Sequence, residues 1–176
     1  MAKLRQIAQL GAAVLRQQAR EISDPTATEV QSLIADLQAA LADSSGVGLA
    51  APQIYESRRI VIVASRPTPR YPHAPEMAAT TMINPSFQPL STTQEKDWEG
   101  CLSIPGIRAL VPRYTEIQVT FIDAAGNSMH LRLQGFPARV FQHEYDHLNG
   151  LVYLDRVENN RDIISEKEFL RQFARA

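Results

Sequence analysis

The amino-acid sequence predicts an α+β fold, in which short and mostly antiparallel sheets pack around one central helix. Residues 59–64 are rich in β-branched side chains, and residues 117–122 and 129–133 alternate around Gly126-Asn127 as the strands of a hairpin do. Residues 137–148 carry apolar side chains at helical spacing and predict the central helix. With 176 residues, the chain is expected to form one domain over residues 1–176.

Local signals predict the remaining elements. Asp24-Pro25-Thr26 predicts the start of a first helix that ends near residues 44–46 and carries its apolar side chains on one face. Residues 65–80 contain four prolines and are expected to form an exposed loop. The other predicted elements are strands at residues 82–84 and 152–154, and a last helix at residues 165–176 that begins with a capping box.

The composition excludes several classes of protein. Hydrophobic residues make up 44% of the chain and charged residues 21%, which is ordinary for a globular domain. A net charge of −1 gives no reason to expect binding to nucleic acid or to a membrane surface. A single cysteine excludes an internal disulfide and fits a reducing compartment. Because we find no signal-peptide pattern and no long apolar run, we expect a cytoplasmic protein.

The most informative motif is H-E-x-x-H at residues 143–147. Side chains four positions apart lie on one face of a helix, so His143 and His147 can bind one metal ion together. The carboxylate of Glu144 would then lie close to a water molecule on that ion, as metal-assisted hydrolysis requires. Either histidine could instead be an ordinary core residue, but two buried imidazoles on one face need partners for four nitrogens.

A catalytic metal site needs a further protein ligand, for which the sequence offers two alternatives. One is Cys101, the sole cysteine, whose neighbour Gly100 permits close backbone approach in a predicted turn. The other is a downstream carboxylate, Glu166 or Glu168, as in metalloproteases built on the same helix. A lone cysteine is usually a buried apolar residue, so the residues alone leave both alternatives open. A purely structural metal is disfavoured because no fourth Cys or His lies near these motifs.

A third motif, Gly-Val-Gly-Leu-Ala-Ala-Pro-Gln, lies at residues 46–53 after the first helix. Its small residues permit close approach of the backbone, and the amide of Gln53 can donate a hydrogen bond. The G-x-G pattern is a weak signal for phosphate binding. Because no strand precedes it and no Gly-Lys-Ser/Thr follows, nucleotide binding is excluded.

Together the three segments resemble the peptide deformylase family. Its motifs G-φ-G-x-A-A-x-Q, E-G-C-x-S and Q-H-E-x-D-H match residues 46–53, 99–103 and 142–147 in the same order, without a mismatch at a fixed position. The resemblance covers about residues 5–155. Ala13 departs from the proline that is usual in the family, and the Pro-rich loop is long.

The resemblance implies an enzyme that removes the formyl group from N-formyl-methionyl nascent peptides and releases formate in a bacterial-type cytoplasm. It implies that Glu144 is the general base, and that the Gln53 amide and the Leu102 backbone N–H stabilise the developing oxyanion. The implied ligands of one divalent ion per chain are Cys101, His143 and His147. The ligand set by itself suits Zn²⁺, whereas the resemblance implies Fe²⁺ in the cell, replaceable by Zn²⁺, Ni²⁺ or Co²⁺.

The substrate is expected to bind between the three motifs. Val47, Phe136 and Val140 are candidates for an apolar pocket for the methionine side chain, although each could be plain core. The other residues placed at this site are Gly46, Gly48, Glu99, Gly100 and Arg108. The two glycines of the first motif could pair with the peptide as an added strand. Arg108 could instead be an exposed arginine, and Glu99 could be a structural support.

Two further residues or segments have alternative interpretations. Asp146 could orient a ligand histidine, or it could pair with Arg113. The last helix could make a weak and salt-sensitive contact with the ribosome, as longer family members do, although its glutamates offset its basic residues. Phe169 and Phe173, four positions apart, instead predict that it packs on the domain, and we favour that interpretation.

Overall fold

The computed structural model describes residues 3–68 and 71–173 and has the predicted α+β architecture. Within these residues the helices are α1 (Thr28–Ala42), α2 (Gly135–Leu148) and α3 (Glu166–Phe173). The strands are β1 (Gly48–Ala50), β2 (Ile60–Ser65), β3 (Met77–Pro89), β4 (Gln94–Cys101), β5 (Ile104–Tyr114), β6 (Glu116–Ile122), β7 (Ser128–Gln134) and β8 (Ile163–Ser165). Short 3₁₀ helices connect several of them.

The strands form two antiparallel sheets with α2 against both. The larger sheet has the order β1-β2-β3-β6-β7, and the smaller sheet has the order β4-β5-β8. Successive residues of β2 point to opposite faces of the larger sheet, so Val61 and Val63 pack with α2 while Ile60 and Ile62 pack with α1. Helix α2 also contacts β5 of the smaller sheet. The prediction of a central helix is therefore confirmed.

The predicted hairpin is confirmed, and it pairs Glu116–Ile122 with Ser128–Gln134. The first helix begins at Thr28, later than predicted, because the carboxylate of Asp24 accepts a hydrogen bond from Thr26 N–H in a local turn instead of capping the helix. Helix α2 begins at Gly135, two residues before the predicted start.

The predicted strand at residues 82–84 is too short, since β3 extends from Met77 to Pro89 and takes part of the predicted loop. Alanine and proline have low strand propensity and concealed its length. Pro85 is tolerated because the pairing with β6 shifts register between Ile83 and Ser86, beside Asn84 at φ +48°. Residues 69–70 of the predicted loop lie outside the described part of the chain.

The predicted edge strand at residues 152–154 is wrong. A 3₁₀ helix at Tyr153–Arg156 takes its place, because the carboxylate of Asp155 accepts the Val152 N–H and closes a tight turn. The predicted capping box is present in part, since Ser165 Oγ accepts the N–H of Glu168 at the start of α3. That helix was predicted to reach residue 176, and residues 174–176 lie outside the described part.

Cys101 is the last residue of β4, and the chain then turns directly into β5. The prediction placed this cysteine in a turn, whereas it lies at the strand end immediately before one. Gly106 has φ +79°, a conformation that favours glycine. Among the helices of the described residues, none is long and apolar enough to cross a membrane.

Candidate metal centre and active site

Helix α2 brings His143 and His147 onto one face, as the motif predicts, with their rings 5.2 Å apart. The end of β4 brings Cys101 to the same place, where its Sγ lies 3.3 Å from Nε2 of His147. One ligand atom from each of the three residues lies within 4.8 Å of the others. One sulfur and two imidazole nitrogens at this separation can surround a single ion.

The chemistry of these donors fits a divalent metal ion. His147 is completely buried, and burial lowers the pKa of its imidazole, so the ring is neutral and able to donate an electron pair to a metal. A soft sulfur with two imidazoles suits Zn²⁺ or Fe²⁺ more than Mg²⁺ or Ca²⁺, which prefer oxygen ligands. Glu166 and Glu168, the alternative ligands, instead bond to Arg108 and Arg171.

Glu99 fixes the orientation of His143. Its Oε2 lies 2.9 Å from His143 Nδ1, so Nε2 of that ring is directed away from Glu99. Arg113 and Arg139 donate to the same carboxylate. Burial alone would raise the pKa of Glu99, but the Arg113 guanidinium and the hydrogen bond with His143 hold it well below its ordinary value. The sequence suggested Glu99 as a substrate residue or a structural support, and the structure shows that it supports a candidate ligand.

Asp146 does not orient either histidine. Its carboxylate accepts hydrogen bonds from Arg113 at 2.6 Å and from Arg156 at 2.7 Å and 3.1 Å, which agrees with the alternative of an arginine pair. Arg113 thus bridges Asp146 and Glu99, and both carboxylates are buried. The chain of ion pairs continues from His143 to the partly exposed Arg156.

Glu144 has the properties of a proton acceptor. Its side chain lines the cavity beside the candidate ligands, and Oε2 is buried with no hydrogen-bond partner in the described residues. Burial raises the pKa of this carboxyl group to about 7, so it can take up and release a proton near neutral pH. Gly48 lies directly against it, because a Cβ there would lie 2.9 Å from both Cγ and Cδ of Glu144.

Gln53 is held with its amino group toward the candidate ligands. Its Oε1 accepts the Ala50 N–H at 2.9 Å, and its Nε2 donates to Ser103 Oγ at 3.2 Å and to Cys101 Sγ at 3.4 Å. Leu102, whose backbone N–H was the second expected donor, also lines the cavity. Both expected donors therefore come from segments that border the candidate ligands.

One cavity gathers almost all of the predicted site residues. Its lining includes thirteen of the fourteen, and the exception is the fully buried His147. The members from the glycine-rich motif are Gly46, Val47, Gly48 and Gln53. Those from the cysteine segment are Glu99, Gly100, Cys101, Leu102 and Arg108, and those from α2 are Phe136, Val140, His143 and Glu144. Val140 also packs in the core, so its position agrees with plain core packing, and a role in binding substrate stays a prediction.

Sequence reasoning missed Ser45, Thr68, Tyr71 and Arg139, which also line this cavity. Arg139 lies one helical turn before His143, so helical spacing could have identified it. Tyr71 lies in the Pro-rich segment that the sequence placed on the surface. Its ring packs on Phe136 with the centroids 4.5 Å apart, and no local sequence signal indicates that contact.

A cysteine and two histidines at the separation of metal ligands, with a buried carboxylate in the adjacent cavity, define a metal-dependent hydrolase as the class of protein. The model of the polypeptide deformylase family matches residues 4–162. Peptide deformylase 2 of Nostoc sp. is 52% identical over 163 residues, which cover 93% of this chain and 91% of that protein.

Solved structures agree with this assignment. The Met-Ala-Ser-bound class I type b peptide deformylase of Acinetobacter baumannii has a TM-score of 0.86 at 40% identity, covering 89% of this chain and 100% of that one. The peptide deformylase of Thermotoga maritima has a TM-score of 0.79 at 30% identity, and the match covers 89% of this chain and 99% of that one. The chain belongs to the polypeptide deformylase family, whose members are metal-dependent enzymes that remove the N-formyl group from nascent polypeptides.

Proposed function

We propose that this chain hydrolyses the formyl group from N-formyl-methionyl peptides with Cys101, His143 and His147 as ligands of one divalent ion. The observation that carries the proposal is the approach of these three donors to within 4.8 Å, where two of them, Cys101 and His143, line a cavity together with Glu144. When bound, a divalent ion supplies Lewis acidity that polarises a carbonyl group and makes water a better nucleophile near neutral pH.

Glu144 acts as the general base and then as the general acid. It accepts a proton from the attacking water and delivers that proton to the amine that leaves with the peptide. Its pKa of about 7 suits both transfers at neutral pH. The amide of Gln53 and the backbone N–H of Leu102 donate to the oxygen on which negative charge develops.

The methionine side chain occupies the apolar part of the cavity, against Val47, Phe136 and Val140. The peptide backbone extends along Gly46 and Gly48. This placement is supported by the position of β1 at the edge of the larger sheet, where one side of the strand pairs with β2. The Met-Ala-Ser complex of the Acinetobacter protein supports a peptide as the ligand of this site.

The ion in the cell is Fe²⁺, and Zn²⁺, Ni²⁺ or Co²⁺ can replace it on the same ligands. The substrates are nascent chains in the bacterial cytoplasm. Helix α3 packs on the domain through Phe169, and any contact of this helix with the ribosome is weak, since Arg171 is paired with Glu168 on the same helix. Such a contact decreases as the salt concentration rises.

A deformylation assay with metal analysis of the same sample tests the proposal. Formate release from formyl-Met-Ala-Ser is expected in proportion to the bound metal. Cys101→Ala should lose both metal and activity, whereas Glu168→Ala should keep both, because Glu168 contacts Arg171 and Gln172 on the surface. Full metal occupancy in the cysteine variant would show that another residue completes the site.

The general base is tested separately. Glu144→Gln should keep the metal, since the amide has the same shape, and should lower kcat by about 10²-fold to 10⁴-fold. The variant is compared with wild type at equal metal content. A kcat near the wild-type value would remove Glu144 from the reaction.

A further inference from the structure

The side-chain partners of Arg108 come from segments that lie outside the three motifs. The sequence left open whether this arginine contacts substrate or solvent, and its side chain is only 2% exposed although it lines the cavity. Its Nη1 donates to the hydroxyl of Tyr71 at 2.8 Å, and its Nη2 donates to Oε1 of Glu166 at 3.2 Å. Exposure to bulk water is therefore excluded for this guanidinium.

Two aromatic rings approach the same guanidinium. The central carbon of Arg108 lies 5.6 Å from the ring centroid of Tyr71 and 5.1 Å from that of Phe169. Cation–π attraction at these distances adds to the two hydrogen bonds. The backbone of Gly100 lies against the guanidinium as well, because a Cβ at that residue would lie 2.8 Å from the same carbon. A guanidinium held in this way has little rotational freedom.

The holding groups are themselves fixed. The hydroxyl of Tyr71 donates to the carbonyl oxygen of Trp98, and its ring packs on Phe136. Phe169 is 5% exposed and packs edge-on against the ring of Trp98. The Pro-rich loop and α3 thus meet at Arg108, on the side of the cavity formed by Phe136.

We propose that Tyr71, Glu166 and Phe169 are positioning residues, which hold the Arg108 guanidinium so that it binds the backbone carbonyl groups of the peptide that follow the methionine. The inference rests on the proposed function for the nature of the peptide. A guanidinium has five N–H donors, so it can donate to Tyr71 and Glu166 and still donate to a ligand. Because these contacts already fix the guanidinium, Arg108 loses little conformational entropy on binding.

In this proposal α3 contributes to substrate binding, because its residues Glu166 and Phe169 hold Arg108. Deletion of a helix that acts only in ribosome contact would leave the hydrolysis of short peptides unchanged. Deletion of α3 removes Glu166 and Phe169 and frees Arg108, so it should weaken the binding of short peptides as well. Point substitutions test the same idea without the loss of a core aromatic residue.

The test combines Tyr71→Phe and Glu166→Gln with an Arg108→Met background, in which the apolar stem is kept and the charge is removed. Each single substitution should raise the KM for formyl-Met-Ala-Ser about fivefold and change kcat by less than about twofold, as expected when an interaction of equal strength in the ground state and the transition state is weakened. In the Arg108→Met background, either substitution should have no further effect on KM. Glu168→Gln, on the same helix but paired with Arg171, is the matched control and should keep the wild-type KM.

Calorimetric titration of Met-Ala-Ser gives a readout that does not depend on turnover. Its Kd should rise in parallel with the KM in Tyr71→Phe and Glu166→Gln and stay unchanged in Glu168→Gln. If wild type binds Met-Ala-Ser but hydrolyses no formyl-peptide, the proposed function fails while the role of Arg108 is still measured. Additive effects in the Arg108→Met background, or wild-type affinities in both single variants, would overturn the positioning role.

Discussion

The close approach of β1 to α2 makes Gly48 a sensitive position. A Cβ there would lie 2.9 Å from Cγ and Cδ of Glu144 and closer still to Oε1, whereas ordinary contact begins near 3.4 Å. The carboxylate therefore has to move by at least about 0.5 Å, and by more at its oxygen, to reach ordinary van der Waals separation. Glu144 is buried on a helix packed by both sheets, so the side chain cannot relax into solvent.

We expect Gly48→Ala to lower kcat for formyl-Met-Ala-Ser by about 30-fold to 100-fold, since a misplacement of about 1 Å in a catalytic site can reduce the rate by ~10²-fold. The metal content should remain that of wild type, because the three atoms nearest to the new methyl group all belong to Glu144 and none to a candidate ligand. Steady-state kinetics, metal analysis and the melting temperature of the same preparation measure these effects.

Gly46→Ala is the matched comparison. A Cβ at that residue would meet the side-chain atoms Cδ1 of Leu102 at 3.1 Å and Oγ of Ser44 at 3.2 Å, contacts that a shift of a few tenths of an ångström relieves. A loss of only about threefold is expected, because flexible side chains relieve such contacts cheaply. If Gly48→Ala, fully loaded with metal, keeps a kcat within threefold of wild type, the carboxylate of Glu144 does not act from the position described.

The remaining predictions concern stability. Arg113→Ala should lower the free energy of unfolding by about 3 kcal/mol, since it takes a partner from two buried carboxylates. Arg156→Ala should lower it by less than about 1 kcal/mol, because Arg156 is half-exposed. Urea unfolding of both variants measures the difference, and equal losses would contradict this prediction. Burial by itself raises the pKa of Asp36. The hydrogen bonds from Lys3 and Arg5 lower that pKa by more than burial raises it, so the pKa in the folded state lies below that in the unfolded state. The contribution of the ionised Asp36 to the free energy of unfolding is then fully present above its pKa in the unfolded state, about 3.9, and it disappears as the pH falls through its pKa in the folded state. Asp36→Asn should therefore be less stable than wild type at pH 7, with a difference that narrows below about pH 4; a difference independent of pH would refute this assignment.

Short-range patterns predicted much of the fold. The apolar face of α1, the alternation in β6 and β7 and the run of β-branched residues in β2 are all local signals, and the corresponding elements are present. The length of β3 was missed because its alanines and prolines have low propensity, and only pairing with two neighbouring strands makes it a strand. Residues 152–154 were misassigned because one carboxylate decides between a strand and a turn.

The candidate site also has a part that could be predicted from the sequence and a part that could not. The site residues were expected from the motifs and from the family resemblance that the motifs carry, and thirteen of those fourteen residues line one cavity. The support of His143 by Glu99 and the enclosure of Arg108 by Tyr71 and Glu166 could not be predicted, because each joins segments that are far apart in the sequence. Such contacts depend on how the sheets pack, which periodicity does not encode.

The separation of the candidate ligands along the chain bears on how the enzyme matures. Cys101 and His147 are 46 residues apart, and they belong to a strand and a helix that meet only in the folded chain. During synthesis the cysteine leaves the ribosome well before either histidine. The two histidines need only one formed helix to approach each other, while the sulfur joins them once β4 has docked. An ion that needs all three candidate ligands can therefore bind only after the fold is complete, so metal binding would report that folding has finished.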